Sequence, residues 1–252
     1  MSAYRLAGLT TRGFAALVAA EAPFVVLQSV GSVEPHGPHL TLCADTIISE
    51  AAAVRAAGRL EAAGIGCRIA PPIPYGVTEC AAEFSGAVSV DAEVLTRFLN
   101  AVVRAYLAEG VSHVCLVNNH LEPAHDRAVR AALDGIESGG ASVACPLARR
   151  WARTLSAEFK SGACHAGRYE TSIVMAAAPE LVDERARAGL PEVPISLAEK
   201  LGAGITDFVE MGLAQAYAGA PAEATAAEGD AQLELLATMI ETEVREAITR
   251  SP

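Results

Sequence analysis

Two short stretches of this chain gather the side chains that divalent metal ions bind. Glu34-Pro35-His36 is followed nine residues later by Asp45, and Asn118-Asn119-His120-Leu121-Glu122 supplies a second imidazole and carboxylate. Zinc and manganese accept imidazole nitrogen and carboxylate oxygen. Glu34, His36, Asp45, His120 and Glu122 exceed the donor set of a simple structural zinc site. They suit a pair of ions bridged by one carboxylate, which would activate a water and polarise a carbonyl together. Three carboxylates brought together would also repel one another strongly without cations between them. Either stretch alone is commonly a decorated surface loop. Their joint occurrence, each at the exit of an apolar run, points to a metal centre.

The elements that must position these residues follow from the apolar pattern. A β-branched run over 24–30 predicts a buried strand. The next nine residues, 31–39, hold two prolines and two glycines and exclude regular structure. Further strands are expected at 66–70, stopped by Pro71 and Pro72, at 114–117 and at 141–146. Helices are expected over 11–20, from after Asp45 to 63, over 91–109 with Asp91 as cap, over 123–136 with Pro123 in the first turn, and over 167–178 and 230–248. Residues 74–90 read as irregular, and the Gly- and Ala-rich span 203–229 as a surface excursion. Alternating strands and helices predict an α/β fold, one domain over 1–252, with a parallel sheet of about four strands flanked by helices. Ligands of such sheets bind beyond the carboxyl ends of the strands, where both stretches lie.

Composition excludes several classes. Apolar residues make up 52% of the 252 and charged residues 19%, enough apolar surface for a buried core and too little charge for a disordered chain. Nineteen basic against 30 acidic residues, with no basic run, argue against nucleic acid as a partner. No apolar run is long enough for a membrane span, and no leader pattern opens the chain, so a cytoplasmic protein is expected. Six scattered cysteines without a C-x-x-C pair read as reduced thiols.

The motifs carry a family likeness. Gly31-Ser-Val-Glu-Pro-His-Gly-Pro-His-Leu, followed by Ala44-Asp45-Thr46, resembles the signature of the creatininase family of amidohydrolases. Pro71-Pro-Ile-Pro-Tyr-Gly76, Val117-Asn-Asn-His-Leu-Glu122, His165-Ala-Gly-Arg-Tyr-Glu-Thr-Ser172 and the 222–229 segment resemble its later blocks in order. The resemblance implies a creatininase-like fold and two divalent ions, Zn²⁺ and/or Mn²⁺, with Fe²⁺ also compatible. It implies Glu34, Asp45 and His120 on one ion and His36, Asp45 and Glu122 on the other, with Asp45 bridging. His165 would shuttle the proton to the leaving nitrogen. Glu170 would orient His165 or touch substrate, unless it merely pairs with Arg168. Glu122 joins these two in the catalytic set. The implied activity is hydrolysis of a C–N bond in a small amide, cyclic amide or formamide by a metal-activated water. Within the family, deformylation of a formylamino-pyrimidine nucleotide and peptide maturation are alternatives, and a non-catalytic metal-binding protein is a third. A homo-oligomer, hexameric in the family, is implied as well.

Departures from the family pattern bear on substrate. Leu121 stands where creatininase has tyrosine, Pro123 where the family often has asparagine, and Trp151 is the single tryptophan. Ser161 and Gly162 occupy positions where an aromatic would cover a flat ring. The metal chemistry thus transfers better than creatinine does, and few basic residues near the blocks weigh against a phosphate-bearing substrate. Among other residues, His39 reads as a partner of a ligand or a satisfied loop histidine, and His125 as solvent-facing. His113 reads as structural, Cys43 as a buried thiol, and Glu79 and Glu83 as solvated loop charges.

Overall fold

A computed structural model describes residues 4–20 and 22–250. The chain runs α1 (Thr11–Val18), β1 (Phe24–Val30), α2 (Ala44–Ala62), β2 (Gly66–Ile69), α3 (Ala92–Ala108), β3 (His113–Asn118), α4 (Pro123–Ala131) and β4 (Ala141–Ala144). Seven further helices follow among the described residues: α5 (Arg149–Ala152), α6 (Ala157–Ser161), α7 (Arg168–Ala177), α8 (Glu184–Arg187), α9 (Leu197–Gly202), α10 (Phe208–Met211) and α11 (Ala226–Ile248). The four strands are parallel in the order β2-β1-β3-β4, the α/β sheet that the sequence predicts.

Both faces of the sheet are covered, which is why β1 and β3 are apolar without alternation. Val25, Leu27, Cys115 and Val117 point to one layer, where they meet Ile48, Ile173 and Ile240 of α2, α7 and α11. Phe24, Val26, Val114 and Leu116 point to the other, against Leu95, Leu99 and Val129 of α3 and α4. Small side chains do much of the close packing. Ala52, Ala53, Ala56 and Ala57 of α2 are fully buried, so helices approach closely without aromatic filler. At the contact of α11 with α7, a Cβ on Gly229 would lie 1.8 Å from the carbonyl oxygen of Ser172. Gly229→Ala is therefore expected to destabilise the fold by about 1–3 kcal/mol despite alanine's better helix propensity. Urea unfolding checks this, and an unchanged or raised midpoint would contradict it.

Register fixes where the loops fall. Val30 of β1 pairs with Asn118 of β3, so the two strands end level and side by side. The chain leaves β1 towards β2 on one side and leaves β3 towards β4 on the other. The strand order reverses between β1 and β3, and the crevice of such a sheet opens at that point. Both metal-ligand stretches hang there.

Three expectations about elements change. The helix from Pro123 stops at Ala131, because the chain turns there and Gly135 takes φ 72°, a left-handed conformation that closes the turn. The last helix begins at Ala226, not 230, because Thr225 Oγ1 accepts the Glu228 amide at 3.2 Å as its cap. Residues 203–229 are not a surface excursion. Phe208, Met211, Leu213, Ala216 and Ala218 bury themselves against Cys80, Ala81 and Ala163 in a third cluster beside the crevice. Among the described residues, no helix is long and apolar enough to cross a membrane.

Candidate metal centre

The β1 exit places two ligands and locks their orientation. The Glu34 amide donates to Leu42 O at 2.9 Å, which folds the 34–42 loop back on itself. Glu34 O in turn accepts from His36 Nδ1 at 2.9 Å. That bond engages Nδ1 and turns Nε2 towards the site. Asp45 stands in the first turn of α2, near the positive end of the helix, and Ser32 Oγ donates to its Oδ2 at 2.6 Å.

The β3 exit supplies the facing half. Asn118 Oδ1 accepts the His120 amide at 3.0 Å, and Asn119 Nδ2 donates to Ser49 Oγ of α2 at 3.1 Å. These bonds hold the turn against the first loop. His120 Nε2 donates to Val77 O at 2.7 Å, so Nδ1 faces the site. Glu122 accepts from the Glu79 and Cys80 amides, each at 3.1 Å, through separate carboxylate oxygens. The 74–90 segment, irregular as expected, thereby serves as a backbone clamp on one candidate ligand.

Asp45 lies between two imidazoles. His120 Nδ1 is 3.1 Å from Asp45 Oδ2 and 3.1 Å from Glu34 Oε2. His36 Nε2 is 3.3 Å from the other oxygen, Asp45 Oδ1, and 3.7 Å from Glu170 Oε2. Candidate ligand atoms of Glu34, His120 and Glu122 lie within 4.8 Å of one another, as do those of His36, Asp45 and Glu170, and of Glu34, His36 and His165. The five expected ligands thus converge. The grouping differs from the partition that the family resemblance implies: Glu122 lies with Glu34 and His120, and Glu170 takes the place beside His36 and Asp45.

Burial makes this cluster hard to sustain without cations. Glu34, Asp45, Glu122 and Glu170 are each at most 8% exposed, so four carboxylates share a nearly dry pocket. Burial would discharge His36, but Asp45, Glu170 and Glu34 outweigh it and hold its pKa up at about 10. His120 is likewise held well above its ordinary value, against burial, by Glu34 and Asp45. Burial would raise Glu34, yet His120 and His165 pull it down to about 2. Glu170 is pushed up to about 8, chiefly by burial. In the metal-free protein, protons on the imidazoles stand where cations would. Metal ions displace those protons, so metal affinity falls as pH falls and protons compete. The donor set fits such ions on an independent count: His36 Nε2 is fully buried, has no hydrogen-bond partner among the described residues, and is aimed at two carboxylates.

The fourth motif closes the site from the α7 side. His165 Nε2 donates to Pro35 O at 3.0 Å, and its ring lies 4.5 Å from His36 and 4.6 Å from Phe208, centroid to centroid. Burial holds the His165 pKa down at about 4, so the ring is neutral in the metal-free protein. Glu170 Oε2 accepts the Ala166 amide at 2.7 Å. Ala166 takes φ 50°, a costly conformation for alanine that this bond and Thr171 Oγ1, donating to Ala166 O at 3.2 Å, help to hold. The pairing of Glu170 with Arg168 does not form, since Arg168 reaches Glu228 and Glu223 instead.

Other residues fall as follows. His39 is buried and hydrogen-bonds Thr171 Oγ1 at 2.8 Å, next to the Glu170 segment. His125 is not solvent-facing. It is fully buried on the inner side of α4, where Nδ1 accepts the Val77 amide at 3.2 Å and the ring packs edge-on to His120 at 4.7 Å. Its proximity to the Pro-rich second block, distant in sequence, hid this role. A Cβ on Gly76 would come within 2.5 Å of that ring, which explains the glycine. His113 is buried and structural, bonded to Gly139 O at 2.7 Å. Cys43 is half-buried, not buried, while Glu79 and Glu83 are exposed. Phe159 and Phe208 supply the aromatic lining that the motif positions lack. No local pattern marks Phe208, which reaches the site only through the folding of 203–229.

Above the cluster opens a cavity of about 570 Å³ whose floor includes Glu34, Asp45, His120, Glu122, His165 and Glu170. Its walls carry Leu121, Leu147, Leu197 and Leu201, and its mouth carries Arg149, Arg153 and Lys160. The few basic residues near the motifs therefore misrepresent the pocket, because these three come from the unmotifed stretch before the fourth block.

Known proteins resemble this chain in sequence and in fold. The chain is 33% identical over 213 residues to a mycofactocin precursor peptide peptidase of Mycobacterium ulcerans (strain Agy99), covering 81% of this chain and 78% of the relative. A crystal structure of creatinine amidohydrolase (creatininase) shares the fold with TM-score 0.77 and 21% identity, over 98% of this chain and 99% of that one. A manganese form of creatininase aligns with TM-score 0.73 and 22% identity, over 96% and 98% of the two chains. The family described as creatininase, creatinine amidohydrolase, matches residues 7–244, a span that holds both strand exits, the clamp and the fourth motif. By that match, and by a relative one-third identical along most of its length, this chain belongs to the creatininase family.

Proposed function

We propose that the chain is a creatininase-family amidohydrolase whose cavity floor would hold two divalent ions, with Asp45 as a ligand that both could share. Glu34, His120 and Glu122 would hold one ion, and His36 and Glu170 the other. Zinc and manganese match this mix of imidazole and carboxylate. When bound, such a pair lowers the pKa of a water and polarises the scissile carbonyl. The chain's own residues do the rest. Val77 O and Glu34 O orient the two ligand imidazoles. His165, anchored through Nε2–H on Pro35 O, keeps Nδ1 free to take the proton of the attacking water and return it to the leaving nitrogen. Glu170 holds the Ala166 backbone and so the direction of His165. Phe208 covers the outer face of that ring and excludes water from the proton path.

The observation that carries this reading is the double exposure of Asp45, one oxygen to each of two imidazoles, beneath an open cavity. The test is turnover by metal-loaded protein on a panel of amides, lactams, formamides and short peptides, read as released amine. Chelation is expected to abolish release, and Zn²⁺ or Mn²⁺ to restore it. No release across the panel would leave a metal-binding protein without this activity.

A peptide substrate is the second reading. A cavity of about 570 Å³ lies within the range that encloses drug-sized ligands, and the relative at 33% identity is named a peptide peptidase. Free thiols at all six cysteines support a reducing, cytoplasmic setting.

A further inference from the structure

The mouth of the cavity carries charge of the opposite sign to its floor. Arg149 opens α5, Arg153 is the residue that caps its end, and Lys160 lies in α6. All three side chains line the cavity and are exposed. None makes an ion pair with a carboxylate among the described residues, although the chain holds 30 acidic residues against 19 basic. The contrast with Arg150 is direct: next in sequence and outside the cavity, it pairs with Glu243 and Glu246. What sets the three apart is their place together on one cavity, since Arg12, Arg127, Arg185 and Lys200 elsewhere also make no carboxylate pair among the described residues. Between mouth and floor the wall is apolar, with Leu197 and Leu201 of α9 and Phe208 of α10.

We propose that Arg149, Arg153 and Lys160 form a recognition site for an anionic oxygen group on the substrate, a carboxylate or a phosphate, set apart from the scissile amide by an apolar spacer. The inference rests on the amidohydrolase reading and names the substrate class of that same site. Guanidinium groups match both anions in geometry, while the lysine adds a point charge. The exposed position of all three residues gives the anion an entrance through a field that raises its local concentration. Two divalent ions on the floor would offset the charge of its four carboxylates, so an anionic substrate would meet no net repulsion as it enters. Both a free peptide C-terminus and an acidic side chain would satisfy the site.

Equilibrium binding to the zinc-loaded protein tests this without turnover, so an inactive enzyme would sink the amidohydrolase reading while leaving this question decided. Three probes share an apolar body: 4-phenylbutyrate, 4-phenylbutyramide and 2-phenylethyl phosphate. The anions are expected to bind about tenfold tighter than the amide, a preference that shrinks as salt is raised. In the triple variant Arg149→Gln, Arg153→Gln, Lys160→Gln, the ratio is expected to fall towards one with metal content retained. The order of the two anions tells carboxylate from phosphate. If the triple variant folds poorly, the single variants Arg149→Gln and Lys160→Gln, each at an exposed position, take its place, and each is expected to lower the ratio. Equal affinity for anions and amide, no detectable binding of the anions, or a preference that survives the triple substitution would overturn the proposal, the last by assigning it to the metal ions.

Discussion

Replacing Asp45 with asparagine is expected to lower kcat/KM by about a thousandfold or more, because it removes the bridge as well as a ligand. Loss of a single fixed oxyanion donor typically costs about 10²–10³ in rate, and loss of a paired-metal centre should exceed that. Asparagine keeps the shape and one carbonyl oxygen, so it can serve one ion. It cannot present an anionic oxygen to His120 and another to His36, as Asp45 does at 3.1 and 3.3 Å. The variant should therefore bind fewer than two ions per chain while keeping its fold. Elemental analysis after dialysis, beside a thermal melt, reads both. Full metal occupancy with full activity in Asp45→Asn would remove Asp45 from the centre.

His165→Gln is expected to lower kcat by about 10²–10⁴, the usual contribution of a positioned acid–base group, with KM little changed. Glutamine can still donate to Pro35 O and fill the space between His36 and Phe208, but it neither takes up nor releases a proton at neutral pH. Metal content separates two roles. Atoms of Glu34, His36 and His165 lie within 4.8 Å of one another, so His165 is close enough to be a ligand itself. Retention of two ions with slow turnover supports the proton shuttle. Loss of an ion would make His165 a ligand and would leave the proton path to another group.

Much of this arrangement was legible in the sequence, for a physical reason. Buried parallel strands write themselves as unbroken apolar runs, and ligands of a parallel sheet gather where those runs end. Glu34, His36, His120 and Glu122 follow such runs directly, and Asp45 opens the next helix. The family motifs add His165 and Glu170, which apolar pattern alone does not reach. What stayed hidden depends on packing between segments far apart in the chain. His125 looks like a helix-surface residue until Val77 and Gly76, about fifty positions earlier, fold over it. Phe208 sits in an Ala- and Gly-rich span with too few apolar residues to show a period, yet its ring packs at a tilt against His165. Arg149, Arg153 and Lys160 belong to no motif, and only the turn of the chain after β4 brings them to one opening. The sharing of Glu122 and Glu170 between the two sides of Asp45 is also a matter of ångströms that spacing cannot supply.

The central claim is that two cations sit on either side of the Asp45 carboxylate. Crystals grown with zinc and measured at the metal's absorption edge test it most directly. The account predicts two anomalous peaks per chain, one against Glu34 and His120 and one against His36, each within bonding distance of a different Asp45 oxygen. No peak at Asp45, or zinc held only elsewhere on the chain, would contradict it.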